Sequence, residues 1–238
     1  MGSPLPTLFS PRRRKIIQLS PLLLLAGCDA TPEGKTESFL RSFQKFNDWV
    51  QSKVFDPSKL APEYADSELT PEEGFRVNGK DAEYPDIEAA GWTLRVGGMV
   101  ERPGVYTMEQ IRALPKYVMN TRHCCVEGWS MIPKWGGAPL RDFLALVGAD
   151  REAKYLGVAC ADDYTTSYDM PSALHPQTLL CYEAYGKPLD IPHGAPLRVV
   201  IPTKLGYKSA KWVQALIVTN ENPGGYWEDQ GYDWFAGI

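Results

Sequence analysis

The chain has 238 residues, 44% of them hydrophobic and 23% charged, which is enough apolar material for a sizeable core and excludes global disorder. The length fits one large domain or two small ones. The formal net charge is −4, and a mildly acidic chain is not expected to bind nucleic acid.

The first 27 residues have the pattern of a removable export signal. A basic cluster at residues 12–15 precedes an apolar run at residues 16–25 that Pro21 interrupts. This run is too short to cross a hydrocarbon core of ~30 Å. Removing the segment leaves 21 basic and 29 acidic side chains, a net charge of −8.

The end of this segment predicts a lipid anchor. Leu25-Ala26-Gly27-Cys28 resembles the bacterial lipobox, in which cleavage precedes the cysteine and the cysteine is lipidated. Asp29 resembles the signal that retains lipoproteins on the inner membrane. We therefore expect a protein anchored through Cys28 to the periplasmic face of the bacterial inner membrane. Arg13-Arg14 also resembles a twin-arginine signal, so the general and the twin-arginine export routes both stay open.

Residues 28–60 read as a tether followed by an amphipathic helix. Apolar residues recur every three or four positions from Phe39 to Val54, which predicts a helix of about 18 residues ending before Pro57. Its apolar side can pack on the domain or meet a membrane or partner. Residues 57–90 have little periodicity and predict an irregular segment.

Residues 61–238 are assigned to one β-rich α+β domain. Short apolar runs bounded by Gly, Pro and Asp predict the strands 92–96, 117–121, 155–159, 179–182, 197–201 and 213–219. Thr107 and Gln110 form a capping box that opens a short helix to about Leu114. Residues 139–147 predict a second helix, with proline near its start and glycine after its end.

Residues 122–130 concentrate the reactive groups of the chain. They contain the adjacent thiols Cys124 and Cys125 with His123 and Glu127, and a thiolate is a soft ligand that suits a transition metal. A tetrahedral zinc site is disfavoured because adjacent cysteines rarely reach one ion. A cysteine hydrolase and disulfides, including one between Cys160 and Cys181, stay open. The residues alone favour a reactive thiol site near Cys125.

Two later segments indicate an anion site. A His-Gly-Ala-Pro-Leu-Arg stretch runs from His193 to Arg198, and Lys204, Lys208 and Lys211 surround a glycine. A solvated lysine-rich loop is one interpretation. The sharper one is a loop whose lysines and backbone N–H groups hold a phosphate.

The Cys-Val-Glu-Gly-Trp-Ser motif from Cys125, the histidine-to-arginine stretch and the lysine loop occur here in the order typical of one family. Together they resemble the sulfite oxidase family of molybdopterin-dependent oxidoreductases, over about residues 70–235. Within that family the cysteine motif is most similar to that of the periplasmic protein-methionine-sulfoxide reductases. The resemblance implies the family's mixed, β-rich fold and a molybdenum-molybdopterin cofactor.

The resemblance also implies residue roles. Cys125 is the expected molybdenum ligand, and Tyr164 is a candidate for polar contact with substrate. The positions that match cofactor contacts are Arg76, Val77, Cys160, His193, Arg198, Ser209, Ala210 and Lys211.

Two departures from the family bear on function. Cys124 stands where the reductases have arginine, which weakens any transfer of substrate identity. The chain ends at Ile238 without the dimerisation domain of the classical sulfite oxidases, so their dimer is not expected.

The expected reaction is oxygen-atom transfer, with reduction of S- or N-oxides such as methionine sulfoxide. The alternatives are a sulfite dehydrogenase passing electrons to a cytochrome, and a non-catalytic binding lipoprotein on the same fold. No Cys-x-x-Cys-His haem site is present, so electrons must come through a separate protein, either a haem-bearing membrane subunit or cytochrome c.

Overall fold

A computed structural model describes residues 33–79 and 83–238. The chain divides into two units, one ending at Asn47 and the other covering Asp48–Ile238. The predicted export signal and Cys28 lie outside the described residues. Within the described residues, no helix combines the length and the apolarity that a membrane crossing requires.

The amphipathic helix predicted near the start of the chain is present as α1, Glu33–Val54. It starts earlier than expected and ends before Pro57, as predicted. Its last turns hold the end of the chain: the Phe235 N–H donates to Asp48 Oδ1 at 2.8 Å, and the Gly237 N–H donates to Gln51 Oε1 at 3.0 Å.

The second unit is sheet-rich, as the sequence predicted. Its strands are β1 (Thr93–Gly98), β2 (Gly104–Thr107), β3 (Tyr117–Asn120), β4 (His123–Cys124), β5 (Ser130–Met131), β6 (Lys134–Pro139), β7 (Tyr155–Cys160), β8 (Thr165–Asp169), β9 (Leu179–Ala184), β10 (Lys187–Pro188), β11 (Arg198–Val200) and β12 (Val213–Thr219). Its helices are α2 (Met108–Arg112), α3 (Leu140–Leu146), α4 (Met170–Ala173) and α5 (Tyr226–Asp229). The predicted capping box is confirmed, because Thr107 and Gln110 exchange side-chain and backbone hydrogen bonds.

The strands form two five-stranded sheets and one hairpin. The first sheet has the order β2-β1-β12-β7-β8, with β1 and β12 parallel and the other pairs antiparallel. In the second sheet, β10, β9, β6 and β3 follow one another and β11 also pairs with β9. The hairpin of β4 and β5 stands apart from both. The pairing of β1 with β12 therefore brings together segments that are far apart in the sequence.

Two apolar clusters form the core, and the larger one takes buried residues from both sheets, such as Leu156 of β7 and Leu180 of β9. The larger contains Leu94, Phe143 and Leu156, all fully buried, and the smaller contains Met119 and Trp135. β7 and β9 are buried along nearly their whole length, which explains why their sequences are continuous apolar runs, whereas β1 alternates between buried and more exposed residues. Cys160 and Cys181 lie in different sheets, and the four cysteines that the structure describes are free thiols.

Candidate active site

Cys125 lies in the turn of the β4–β5 hairpin. Its N–H donates to Trp129 O at 2.9 Å, and the Gly128 N–H donates to Cys125 O at 3.1 Å. Gly128 has φ +87°, a conformation that glycine adopts without the Cβ penalty of other residues. The turn thus holds Cys125 in a defined backbone geometry.

A cavity of about 220 Å³ opens at Cys125. Its wall combines the loop before β1, the β4–β5 hairpin, the β7–β8 connection and residues 192–212. The predicted site residues that line it are Arg76, Val77, Cys125, Tyr164, His193, Arg198, Ser209, Ala210 and Lys211. The fold therefore gathers residues that are far apart in the sequence.

Cys160 is placed differently from the other predicted contacts. It ends β7 inside the larger apolar cluster, 6% exposed, and is not among the residues that line the cavity. Burial raises the pKa of its thiol well above the usual range. Its N–H donates to Tyr164 O at 2.9 Å, so it supports the segment that carries Tyr164.

The strand before Cys125 separates two cavities. His123 and Cys125 line the first, whereas Arg122 and Cys124 line a separate cavity of about 590 Å³. This follows from the alternation of side chains along an extended segment. Cys124 is thus not a neighbour of Cys125 in the same cavity, although the two residues are adjacent in sequence.

Two cations lie in the cavity wall, Arg198 buried and Lys211 partly buried. Arg198 is 5% exposed and donates to His193 O at 2.9 Å and Ser209 O at 3.2 Å. Its Nε is buried and has no hydrogen-bond partner among the described residues. Burial lowers the pKa of Arg198 to about 10, and burial followed by the charge of Arg198 lowers the pKa of Lys211 to about 7. Two desolvated cations with an unpaired donor favour an anionic ligand.

The other two lysines of the predicted phosphate loop face away from this cavity. Lys204 is buried against Asp169 at 3.4 Å with its Nζ over the Phe235 ring. Lys208 is fully buried and pairs with Glu228. A buried ammonium needs a carboxylate partner, and both partners come from distant segments. Of the three lysines of the loop only Lys211, the one that matches a cofactor contact of the family, lines the cavity.

His193 is held firmly by the protein. Its Nδ1 lies 2.5 Å from Asp190 Oδ1 and its Nε2 lies 3.1 Å from Phe75 O. The imidazole also stacks on the Phe75 ring, with centroids 3.7 Å apart and planes 11° apart. His193 thereby fixes the loop that carries Arg76 and Asn78 across the cavity.

Tyr164 lines the cavity with its hydroxyl already engaged. Its Oη donates to Tyr207 O at 2.6 Å. Burial raises the pKa of the phenol far above its usual range. The group therefore stays protonated and can serve as a donor, but not as a base.

Several lining residues were not predicted as site residues. Trp129, Trp212 and Trp227 supply aromatic surface to the cavity. The high tryptophan content of the chain, seven residues, was the sequence feature that could have indicated this. His123 also lines the cavity. Burial, together with the charges of Arg198 and Lys211, lowers its pKa to about 3, so the imidazole is neutral.

Glu127 and Asn78 occupy the cavity near Cys125. Glu127 Oε2 accepts from Trp129 Nε1 at 3.0 Å and from Asn78 Nδ2 at 3.2 Å. These two donors lower the pKa of the Glu127 carboxyl, with smaller contributions from Arg76 and the Cys125 thiol. No site role was predicted for Glu127 or Asn78 from the sequence, because their contact joins segments distant in sequence.

The protein offers a metal one soft ligand in this cavity. Across residues 33–79 and 83–238, no group of three or more His, Cys, Asp and Glu side chains is placed to hold a metal ion. A metal bound at Cys125 would therefore need most of its ligands from a non-protein group. The cavity combines a soft thiol, desolvated cations and aromatic walls for such a group.

Comparison with known proteins agrees with this arrangement. Residues 81–227 match the family described as "oxidoreductase molybdopterin binding domain". The chain is 48% identical over 231 residues to the putative protein-methionine-sulfoxide reductase subunit YedZ1 of Azospira oryzae, covering 95% of this chain and 88% of the relative. It is 28% identical over 259 residues to the protein-methionine-sulfoxide reductase catalytic subunit MsrP of Xanthomonas axonopodis pv. citri, covering 98% and 78%.

A solved structure shares the fold. The sulfane dehydrogenase SoxCD of Paracoccus pantotrophus superposes with a TM-score of 0.60 at 22% identity, over 66% of this chain and 45% of that one. The family match covers more than half of the chain, and the Azospira relative matches nearly all of it. The chain therefore belongs to the family of oxidoreductase molybdopterin-binding domains, the sulfite oxidase family that its three motifs resemble.

Proposed function

We propose that this enzyme, a molybdopterin-dependent oxidoreductase, reduces methionine sulfoxide or a similar S-oxide by oxygen-atom transfer at the Cys125 cavity. The observation that carries the proposal is the placement of one accessible thiol and two desolvated cations in a single cavity. Net reduction of a sulfoxide consumes two electrons and two protons and yields a thioether and water.

The residues present fit the cofactor. Cys125 supplies the thiolate ligand for molybdenum, a soft ligand of the kind that such metals accept. Arg198 Nε, buried without a partner, and the Lys211 ammonium can hold the anionic end of the pterin. Ser209 and Ala210, in the same segment of the wall, place backbone near that end.

When bound, the molybdenum cofactor supplies the two-electron oxygen-atom transfer, and the protein supplies binding and orientation. Tyr164, Trp129 and Trp227 limit the space that water and substrate can occupy. Because the Tyr164 hydroxyl donates to Tyr207 O, it would have to reorient before it could donate to a substrate oxygen.

One charge beside Cys125, the Glu127 carboxylate, favours a neutral substrate over sulfite, although the cations Arg76, Arg198 and Lys211 also line the cavity. Glu127 is an exposed carboxylate whose pKa its hydrogen-bond donors lower, so it is ionised at neutral pH. It would repel an anionic substrate approaching Cys125, whereas a sulfoxide carries no net charge. Both named relatives are described as methionine-sulfoxide reductase subunits, which supports the same substrate class.

We further propose that the enzyme is anchored through Cys28 to the periplasmic face of the bacterial inner membrane and receives electrons from a separate protein. The lipobox-like Leu25-Ala26-Gly27-Cys28 supports the anchor. The absence of a haem attachment motif from the sequence supports a separate donor, either a haem-bearing membrane subunit or a cytochrome c. Mass analysis of the exported protein tests lipidation, and Cys28→Ala should release it from membranes.

Metal analysis and two assays test the function. Protein exported by a molybdenum-competent host should contain stoichiometric molybdenum and pterin. It should oxidise reduced viologen in the presence of methionine sulfoxide and should not reduce cytochrome c with sulfite. Sulfite-dependent turnover without sulfoxide turnover would reverse the proposed direction. A cavity free of molybdenum and pterin in correctly exported protein would support the non-catalytic alternative.

A further inference from the structure

The Asn78 amide bridges Cys125 and Glu127. Its Nδ2 lies 3.6 Å from Cys125 Sγ and 3.2 Å from Glu127 Oε2. A side-chain amide carries two N–H hydrogens, so one nitrogen can donate to the sulfur and to the carboxylate at once. An N–H donor at this distance lies within the range for contacts to sulfur, whose radius is larger than that of oxygen.

Glu127 determines which end of the amide faces the sulfur. The oxygen and nitrogen ends of asparagine have nearly the same shape, and their assignment rests on the surrounding hydrogen bonds. Turned over, the amide would place Oδ1 against the Glu127 carboxylate, two acceptors without a hydrogen between them. Glu127 itself is held by Trp129 Nε1 at 3.0 Å.

The Asn78 amide also reduces the repulsion that arises between Cys125 and Glu127 once the Cys125 thiol is ionised. A cysteine that binds a metal does so as the thiolate. The Glu127 carboxylate lies in the same turn, and Asn78 Nδ2 is within hydrogen-bonding distance of both Glu127 Oε2 and Cys125 Sγ. An amide that donates to both anions reduces the repulsion between them.

We propose that Asn78 is a positioning residue for Cys125: its amide, oriented by Glu127, donates an N–H···S hydrogen bond to the thiolate that binds molybdenum. This rests on the proposed role of Cys125 as the metal ligand. A hydrogen bond to a ligating sulfur withdraws electron density from it, which stabilises the reduced, more electron-rich state of the metal. Asn78 is thus assigned a part in setting the reduction potential of the enzyme.

Two substitutions test the assignment in the cofactor-loaded, full-length enzyme. Asn78→Leu keeps the branched shape and removes both donors, and Asn78→Gln keeps the amide on a longer chain. Asn78 is exposed on a loop, so neither change disturbs the apolar clusters. The readouts are molybdenum content and the midpoint potential of the metal, followed through its paramagnetic one-electron state in a redox titration.

The midpoint potential of Asn78→Leu should shift to more negative values, and Asn78→Gln should restore it toward that of the wild type. Loss of molybdenum from Asn78→Leu, with retention in Asn78→Gln, would also support the donor role. A molybdenum-loaded Asn78→Leu enzyme with the wild-type potential would overturn the assignment alone. Loss of metal from both variants would overturn it too, because loop packing rather than the donor would then matter. Wild-type enzyme without molybdenum would overturn the proposed function and this assignment together.

Discussion

Replacing Lys211 by methionine should stabilise the cofactor-free protein while weakening its hold on the cofactor. The pKa of Lys211 falls from 10.5 to about 7, which corresponds to a penalty of about 5 kcal/mol at most for the buried ammonium. Partial solvent exposure reduces this to ~2–3 kcal/mol. The variant loses the Nζ hydrogen bond to Pro192 O, at 2.9 Å, for about 1 kcal/mol. The expected net gain in the free energy of unfolding is ~1–2 kcal/mol.

The gain should depend on pH in a defined direction. The folded protein lowers the pKa of this base, so the penalty is full below about pH 7 and shrinks as the pH rises toward the unfolded value of 10.5. The cofactor-free Lys211→Met protein should therefore exceed the wild type in stability at pH 6. At pH 10 the difference should be close to zero or reversed.

The cofactor-loaded protein should respond in the opposite way. A bound phosphate would offset the penalty by pairing with the ammonium, and a charge-assisted hydrogen bond contributes ~1.5–3 kcal/mol. Its loss should weaken cofactor retention by roughly 10- to 100-fold. The opposite effects on the two forms distinguish a ligand-binding lysine from a structural one.

Denaturant unfolding of the cofactor-free protein at pH 6 and pH 10, with molybdenum and pterin content after gel filtration, measures both effects. Lys187→Met is the matched control, since Lys187 is exposed and pairs with Glu72 at 2.8 Å on the surface. It should leave both readouts nearly unchanged. Lower stability of cofactor-free Lys211→Met at pH 6, or wild-type cofactor content in that variant, would refute the reasoning.

Four further substitutions test other parts of the structure. Cys125→Ser should lose molybdenum, whereas Cys124→Ser should retain it because Cys124 lines the separate cavity; equal metal loss would contradict this division. Gly206→Ala should impair cofactor binding, since the new Cβ would lie 2.7 Å from His123 Nε2; normal metal content would count against the tight contact. Burial raises the pKa of Asp48 from 3.8 to about 6, so its ionisation lowers the stability progressively between pH 3.8 and about 6, and the full penalty is present above pH 6. Asp48→Asn should therefore raise the free energy of unfolding by ~1 kcal/mol at pH 8 and by much less at pH 4 in denaturant titrations.

The local elements were predictable because local sequence determines them. β12 occupies residues 213–219, as predicted, and its apolar run ends before the polar Asn220. The helix after Thr107 begins where its capping box places it. Cys125 and Lys211 were predicted through motifs, and the structure brings both to one cavity.

The contacts between distant segments were not predictable in the same way. Lys208 resembles a phosphate-binding lysine in sequence, but its partner Glu228 lies twenty residues later, in α5. Nothing in the local pattern separates it from Lys211, and only the three-dimensional arrangement of carboxylates does so. Asn78 and Cys125 are 47 residues apart, so their contact likewise cannot be predicted from a local sequence pattern.

The distribution of charge in the cavity defines an orientation for the cofactor. Arg198, 5% exposed, lies deep in the wall, whereas Val126 beside Cys125 is 47% exposed. With its anionic end at Arg198 and its metal at Cys125, the proposed cofactor would present the metal toward the surface. A metal near the opening can be reached by a side chain that projects from another protein, so the cavity need not enclose a whole substrate. This geometry is compatible with protein-bound methionine sulfoxide, and comparing turnover of an oxidised protein with that of the free amino acid would test it directly.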